Sequence, residues 1–115
     1  MILVSFDIDG TLETGEPPGP LALDLVRLAK ARGHVIGSAS DRTVAHQQRM
    51  WDDASIAVDF VGHKHHLNKI IGRFTCSRHV HIGDTETDRH YAVLAGLEFV
   101  HVDEVPQIGA PGWIL

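Results

Sequence analysis

Ile2-Leu3-Val4-Ser5-Phe6-Asp7-Ile8-Asp9-Gly10-Thr11 is the stretch on which the reading of the chain turns. Its first half is a short, nearly continuous apolar run with β-branched residues, the pattern of a strand covered on both faces in a parallel sheet. Its second half leaves that strand with two carboxylates one residue apart and enters a glycine turn. Extended geometry points Asp7 and Asp9 to the same side. By itself the pattern also fits an ordinary Asp/Gly turn after a strand, so its meaning depends on what the rest of the chain brings to it.

Working outward, strands and helices alternate. After the Gly- and Pro-rich stretch from Gly10 to Gly19, Pro20 suits a first helical position, and Leu21, Leu25, Leu28 and Ala29 form an apolar stripe that ends at Gly33. A second strand follows over His34–Ala39, then a helix from Thr43 to about Asp52 with Val44, Gln48 and Trp51 along one side. The pattern continues with a strand at Ala57–Val61, a helix at Lys64–Ile71, a strand at His79–Gly83, a helix at Glu86–Ala95 closed by Gly96, and a strand at Leu97–Val102. This alternation predicts an α/β fold: a doubly wound, Rossmann-like, mostly parallel five-stranded sheet with helices on both faces. Its ligand site is expected beyond the C-terminal ends of the strands. The segment 106–115 carries two prolines and two glycines, reads as an irregular tail and ends in the apolar Trp113-Ile114-Leu115.

At 115 residues and 43% hydrophobic content the chain fits a single domain over 1–115 with one core. A net charge of −5 without any Lys/Arg run argues against general electrostatic binding of nucleic acid, leaving only a local phosphate contact such as a nucleic-acid end. No stretch approaches the roughly 18 apolar residues that a membrane span requires. With no basic leader before the first strand, the expected location is cytoplasmic. Cys76 is the only cysteine, excludes an intrachain disulfide, lacks the longer Cys-to-Arg loop of cysteine-dependent phosphatases, and reads as a bystander.

Polar groups converge on one sheet edge in this reading: Asp7 and Asp9 after the first strand, Ser40 after the second, Asp84 and Asp88 after the fourth. In Gly83-Asp84-Thr85-Glu86-Thr87-Asp88 the two aspartates stand one helical turn apart at the start of a helix. Thr85-x-x-Asp88 equally fits a capping box. Four acidic groups at one edge repel unless a cation sits among them, and all-oxygen ligation suits Mg²⁺ over zinc. His63, His65 and His66 suggest a transition-metal site, but neighbouring positions on a helix point in different directions, so a surface or substrate-facing role is expected.

The order Asp7-x-Asp9-Gly10-Thr11, strand-end Ser40, Lys64, then Gly83-Asp84-x-x-x-Asp88 resembles the haloacid dehalogenase superfamily over nearly the whole chain. The resemblance implies a nucleophile at Asp7 that attacks a phosphoryl group and forms an aspartyl-phosphate later hydrolysed by water. It implies Asp9 as general acid and then base, its backbone carbonyl completing an Mg²⁺ site shared with Asp7, Asp84 and Asp88. Ser40, with Ser38 as the competing choice, would hydrogen-bond a phosphoryl oxygen, although Ser40 or Asp41 also suits a helix N-cap. Lys64, with Lys69 as the alternative, would supply the cation. Arg42 lies beside the site and stays outside its core set.

Members of that superfamily usually insert a cap domain after the first motif or after the third strand. Only about ten residues follow Gly10 before the first helix, and Val61-Gly62-His63 leads directly to Lys64, so a capless form is expected. Its open site would admit large phosphorylated substrates unless a second subunit supplies a lid, and the apolar tail makes a homo-oligomer worth testing. Two other readings stand beside the phosphatase. One is a receiver-type phosphoacceptor, which needs its accepting Asp after the third strand. The other is a catalytically silent binding protein of the same fold.

Overall fold

The apolar run Ile2–Phe6 forms β1, the central strand of a sheet, with all five residues buried. The computed structural model describes residues 1–105, so the expected tail at 106–115 lies outside the described residues. β1 is joined by β2 (Val35–Ala39), β3 (Phe60–Gly62), β4 (Arg78–Gly83) and β5 (Glu98–His101) in the spatial order β3-β2-β1-β4-β5. Every pairing is parallel, with Val4 aligned on Ile36 on one side and on Val80 on the other. Four helices connect the strands: α1 (Leu23–Ala31), α2 (Val44–Asp53), α3 (Leu67–Ile71) and α4 (Glu86–Ala95).

Side chains alternate across the pleat, so β1 serves two cores at once. Val4 and Phe6 join Ile36, Val26 of α1, and Met50 and Trp51 of α2. Leu3 on the opposite face joins Val35, Leu67 and Ile70 of α3, and Ala92 of α4. The chain thus winds outward from β1 through β2 to β3, then returns to β4 and winds the other way. Crossovers of one hand place the two helix pairs on opposite faces, and the reversal falls between β1 and β4.

Several boundaries differ from expectation for local reasons. Pro20 does not open α1; Leu21 instead bridges Leu12, with Leu21 N–H donating to Thr11 O at 3.0 Å and Glu13 N–H to Leu21 O at 2.9 Å. The helix starts at Leu23, whose N–H donates to Glu13 Oε2 at 2.8 Å. β3 is shorter than the apolar run because the Asp59 carboxylate, in place of a strand carbonyl, accepts the Ile36 N–H at 2.9 Å.

The expected stripe of α2 holds at Trp51 but not at Val44 and Gln48. Gln47, Met50 and Trp51 face the core, whereas Val44 is 46% exposed and Gln48 is exposed. Gln47 wins the inward position because its amide is satisfied there. It donates to the carbonyls of Arg42 and Gly62, both at 2.9 Å, and accepts from the Ser38 hydroxyl at 2.7 Å. Among the described residues, no helix is long and apolar enough to cross a membrane.

Candidate active site

β1 ends by delivering Asp7 to the reversal between β1 and β4, and β4 ends by delivering Asp84 beside it. The turn after β1 must pass very close to that second carboxylate. Gly10 does so at a φ of +73°, and a Cβ there would stand 2.0 Å from Asp84 Oδ2, so both conformation and space require glycine. Gly83 makes similar room for Asp88, whose Cγ would meet a Cβ at 2.3 Å.

Asp7, Asp84 and Asp88 each place a carboxylate oxygen within 4.8 Å of the other two. Thr11 Oγ1 lies 3.4 Å from Asp7 Oδ2 and from Asp84 Oδ1, tying the turn to both. Asp88 forms the expected capping box and also contacts the cluster's lysine. Its Oδ2 accepts from the Thr85 N–H at 3.1 Å and the Thr85 hydroxyl at 2.8 Å, closing a capping box on α4, while its Oδ1 faces the cluster.

A buried ammonium holds the carboxylates together. Lys64, 4% exposed, places Nζ 3.1 Å from Asp88 Oδ1, 3.5 Å from Asp7 Oδ1 and 3.5 Å from Asp41 Oδ2. Burial opposes its charge, but the Asp7 and Asp88 carboxylates outweigh burial and raise its pKa. Lys69, the alternative, is exposed on α3.

Behind Asp88 lies a contact that the motifs did not signal. His81 and Ser5, both fully buried, sit side by side in the register of β4 and β1. His81 Nε2 lies 2.8 Å from Asp88 Oδ1, and Nδ1 lies 2.9 Å from Ser5 Oγ. A carboxylate only accepts, which assigns a proton to Nε2. Burial alone would raise Asp88, yet the His81 hydrogen bond, Lys64 and Thr85 hold it well below the usual carboxylate range. Asp7 goes the other way. Burial first, then the charge of Asp88, push its carboxyl up to about 8 against the pull of Lys64.

The three clustered carboxylates share one buried ammonium, so the site is short of positive charge. Its oxygen donors fit a hard divalent cation of the Mg²⁺ kind. Asp9 is not part of this cluster. Both its oxygens bond Arg42, through Nη2 and through Nε at 3.2 Å, and Oδ1 also accepts the Glu16 N–H at 2.8 Å. Partial burial opposes ionisation of Asp9, but Arg42 and the Glu16 N–H lower its pKa.

Ser40 and Ser38 separate cleanly. Ser38 is occupied in the core, donating to Gln47 and accepting from Trp51 Nε1 at 2.9 Å. Ser40 ends β2 on the site, where its Oγ accepts the Arg42 N–H at 3.1 Å. Asp7, Asp9, Ser40, Lys64, Asp84 and Thr85 all line one cleft of about 240 Å³. Thr43, rather than Ser40 or Asp41, caps α2, accepting the His46 N–H at 3.1 Å.

Arg42, Thr11, His81 and Ser5 were outside the core set read from the motifs. The available signal for Ser5 was a lone polar residue inside an apolar strand, whereas His81 shares β4 with Arg78 and His79 and did not stand out. The expectation that His63, His65 and His66 diverge fails for a geometric reason. Lys64–His66 form a 3₁₀ turn, and the His65 and His66 ring centroids lie 4.1 Å apart. Cys76 is free and packs at partial burial against the α3/α4 core, away from the carboxylates. No protein-family model matches this chain, and neither a curated protein nor a solved structure does.

Proposed function

We propose that this protein is a Mg²⁺-dependent phosphohydrolase of the haloacid dehalogenase type, cleaving a phosphate monoester through an aspartyl-phosphate on Asp7. The observation that carries this reading is the setting of Asp7. Its carboxylate stands at the strand reversal, lining a cleft with Lys64, Ser40 and Asp84, where a phosphoryl group would meet a nucleophile, a cation and a hydroxyl together.

Asp7 attacks phosphorus in line while the bond to the leaving oxygen breaks. Lys64 balances charge on the transferring group, and the Ser40 hydroxyl donates to one of its oxygens. Mg²⁺, when bound by Asp7, Asp84, Asp88 and the Asp9 backbone carbonyl, supplies the positive charge that the carboxylates lack. Asp9 protonates the leaving oxygen and then takes a proton from the water that cleaves the aspartyl-phosphate, releasing inorganic phosphate. In the resting site Arg42 holds Asp9 ionised. The substrate phosphate competes for that guanidinium fork, so its arrival frees Asp9 to carry a proton.

The connections after β1 and β3, residues 7–22 and His63, contain no separate module that would close over the cleft. A groove of about 450 Å³ is lined by Arg42, His46, Arg49 and Met50, and its Arg42 bonds Asp9 of the cleft. A phosphorylated macromolecule is therefore the proposed substrate class, its phosphate in the cleft and its remainder along α2. The receiver-type alternative has no support at β3, which ends in Val61-Gly62 and offers no accepting carboxylate.

The test is hydrolysis of para-nitrophenyl phosphate with and without Mg²⁺. Turnover is expected only with the metal. Asp7→Asn should reduce it to background with an unchanged circular dichroism spectrum, and full activity in that variant would overturn the mechanism.

A further inference from the structure

The turn that buries Lys64 carries three histidines toward the surface. His63 precedes the turn and is half-buried, and His65 is exposed. Their rings gather closely. Centroids lie 5.4 Å apart for His63 and His65, nearly parallel at 8°, 6.0 Å for His63 and His66, and 4.1 Å for His65 and His66. One ring nitrogen from each lies within 4.8 Å of the other two.

Imidazole nitrogens are metal donors, and one from each of the three rings stands close to the other two. Nitrogen donors suit Zn²⁺, Ni²⁺ and Cu²⁺ and suit Mg²⁺ poorly. Two nitrogens on one tetrahedral zinc, each about 2.0–2.1 Å from it, stand about 3.3 Å apart. Closing the set thus needs shifts of roughly an ångström to an ångström and a half, within reach of side-chain rotation without moving the backbone. No side-chain hydrogen bond or ion pair among the described residues competes for these rings. His65 also lines a cleft of about 170 Å³ with Lys64, Asn68 and Tyr91, leaving room beside the rings for a further ligand.

We propose that His63, His65 and His66 form a second metal site, for a late first-row divalent ion such as Zn²⁺, separate from the carboxylate cluster. Three protein nitrogens leave at least one coordination position for water or an anionic group of a ligand. An ion there would also brace the turn from which Lys64 reaches Asp7 and Asp88. The inference does not depend on the phosphatase reading, because it concerns donor type and geometry alone.

The experiment uses the untagged full chain near neutral pH, in excess Mg²⁺ to occupy the carboxylates, titrated with Co²⁺ as a visible reporter for Zn²⁺. One equivalent should bind with the absorption of a nitrogen-ligated, low-coordinate ion, and Zn²⁺ should displace it. His65→Ala should weaken Co²⁺ binding by more than the roughly 10–100-fold that loss of a merely supporting hydrogen bond costs. The pair His63→Gln and His66→Gln should do the same, with circular dichroism confirming that each variant folds. Asp84→Asn should leave the absorption intact. Absence of the band at excess Co²⁺, its survival in both histidine variants, or its loss in Asp84→Asn would each overturn the proposal.

Discussion

At the scale of single residues, the site is governed by how one buried lysine is shared among three clustered carboxyl groups, with Asp88 held well below the usual carboxylate range while burial pushes Asp7 up to about 8. Asp88 has its partners in place, since His81, Lys64 and Thr85 all act on it. Asp84 is less enclosed, lying partly exposed at the end of β4, which suits a group whose proposed work is to hold a cation. Asp84→Asn should therefore raise the Mg²⁺ concentration for half-maximal activity more than the substrate KM. Thermal melts provide a second readout: Mg²⁺ should raise the Tm of the wild-type protein and have a smaller effect on Asp84→Asn. An unchanged Mg²⁺ titration would contradict the assignment. His81 differs, because it touches no surface. His81→Leu leaves the buried Ser5 hydroxyl without its partner and strips Asp88 Oδ1 of its histidine donor, with Lys64 and Thr85 remaining, and should cost about 3 kcal/mol in urea unfolding, near the range for breaking a buried charged contact. A loss below about 1 kcal/mol would show that the contact contributes little.

At the scale of elements, α2 shows how a polar side chain sets the rotation of a helix. The sequence reading set Val44, Gln48 and Trp51 along one side, and of these only Trp51 is buried. Gln47 instead links the end of β2, through Ser38, to the end of β3, through Gly62 O, with Trp51 packed beside it. The same helix thereby fixes the strand end that presents Ser40. Gln47→Leu keeps the volume nearly constant but leaves the Arg42 carbonyl without its amide donor and the Ser38 hydroxyl without its acceptor, while Gly62 O keeps the Ser40 N–H, so a loss of about 1–3 kcal/mol is expected. A lower urea midpoint at an unchanged m-value would check it, and a neutral result would mean that apolar packing alone orients α2.

At the scale of the whole molecule, charge is the property that sequence and fold share most simply. Nine histidines accompany a formal charge of −5, and protonating all of them would carry the chain to +4. The sequence isoelectric point is near 5.9, so solubility should pass through a minimum around that pH and recover on either side, as measured by turbidity at fixed protein concentration. The two-sided core has a further consequence for function. With α1 and α2 on one face and α3 and α4 on the other, no helix among the described residues packs over the strand ends between β1 and β4, and the candidate site occupies that edge.

The sequence by itself determined the α/β alternation, the parallel sheet and the strand ends on which Asp7, Ser40 and Asp84 sit. Those features depend on local patterning: a continuous apolar run, a glycine turn, and a helix start that follows each strand. Only the tertiary structure chose Ser40 over Ser38 and Lys64 over Lys69 for the cleft, because those choices depend on which polar group finds a partner in the core. The His81–Ser5 pair was equally out of reach, since it exists only once β4 lies in register beside β1. The three histidines after β3 came together for a related reason. A 3₁₀ turn and an α-helix place the same residues in different directions, and the 3₁₀ turn that formed carries Lys64 inward to the carboxylates.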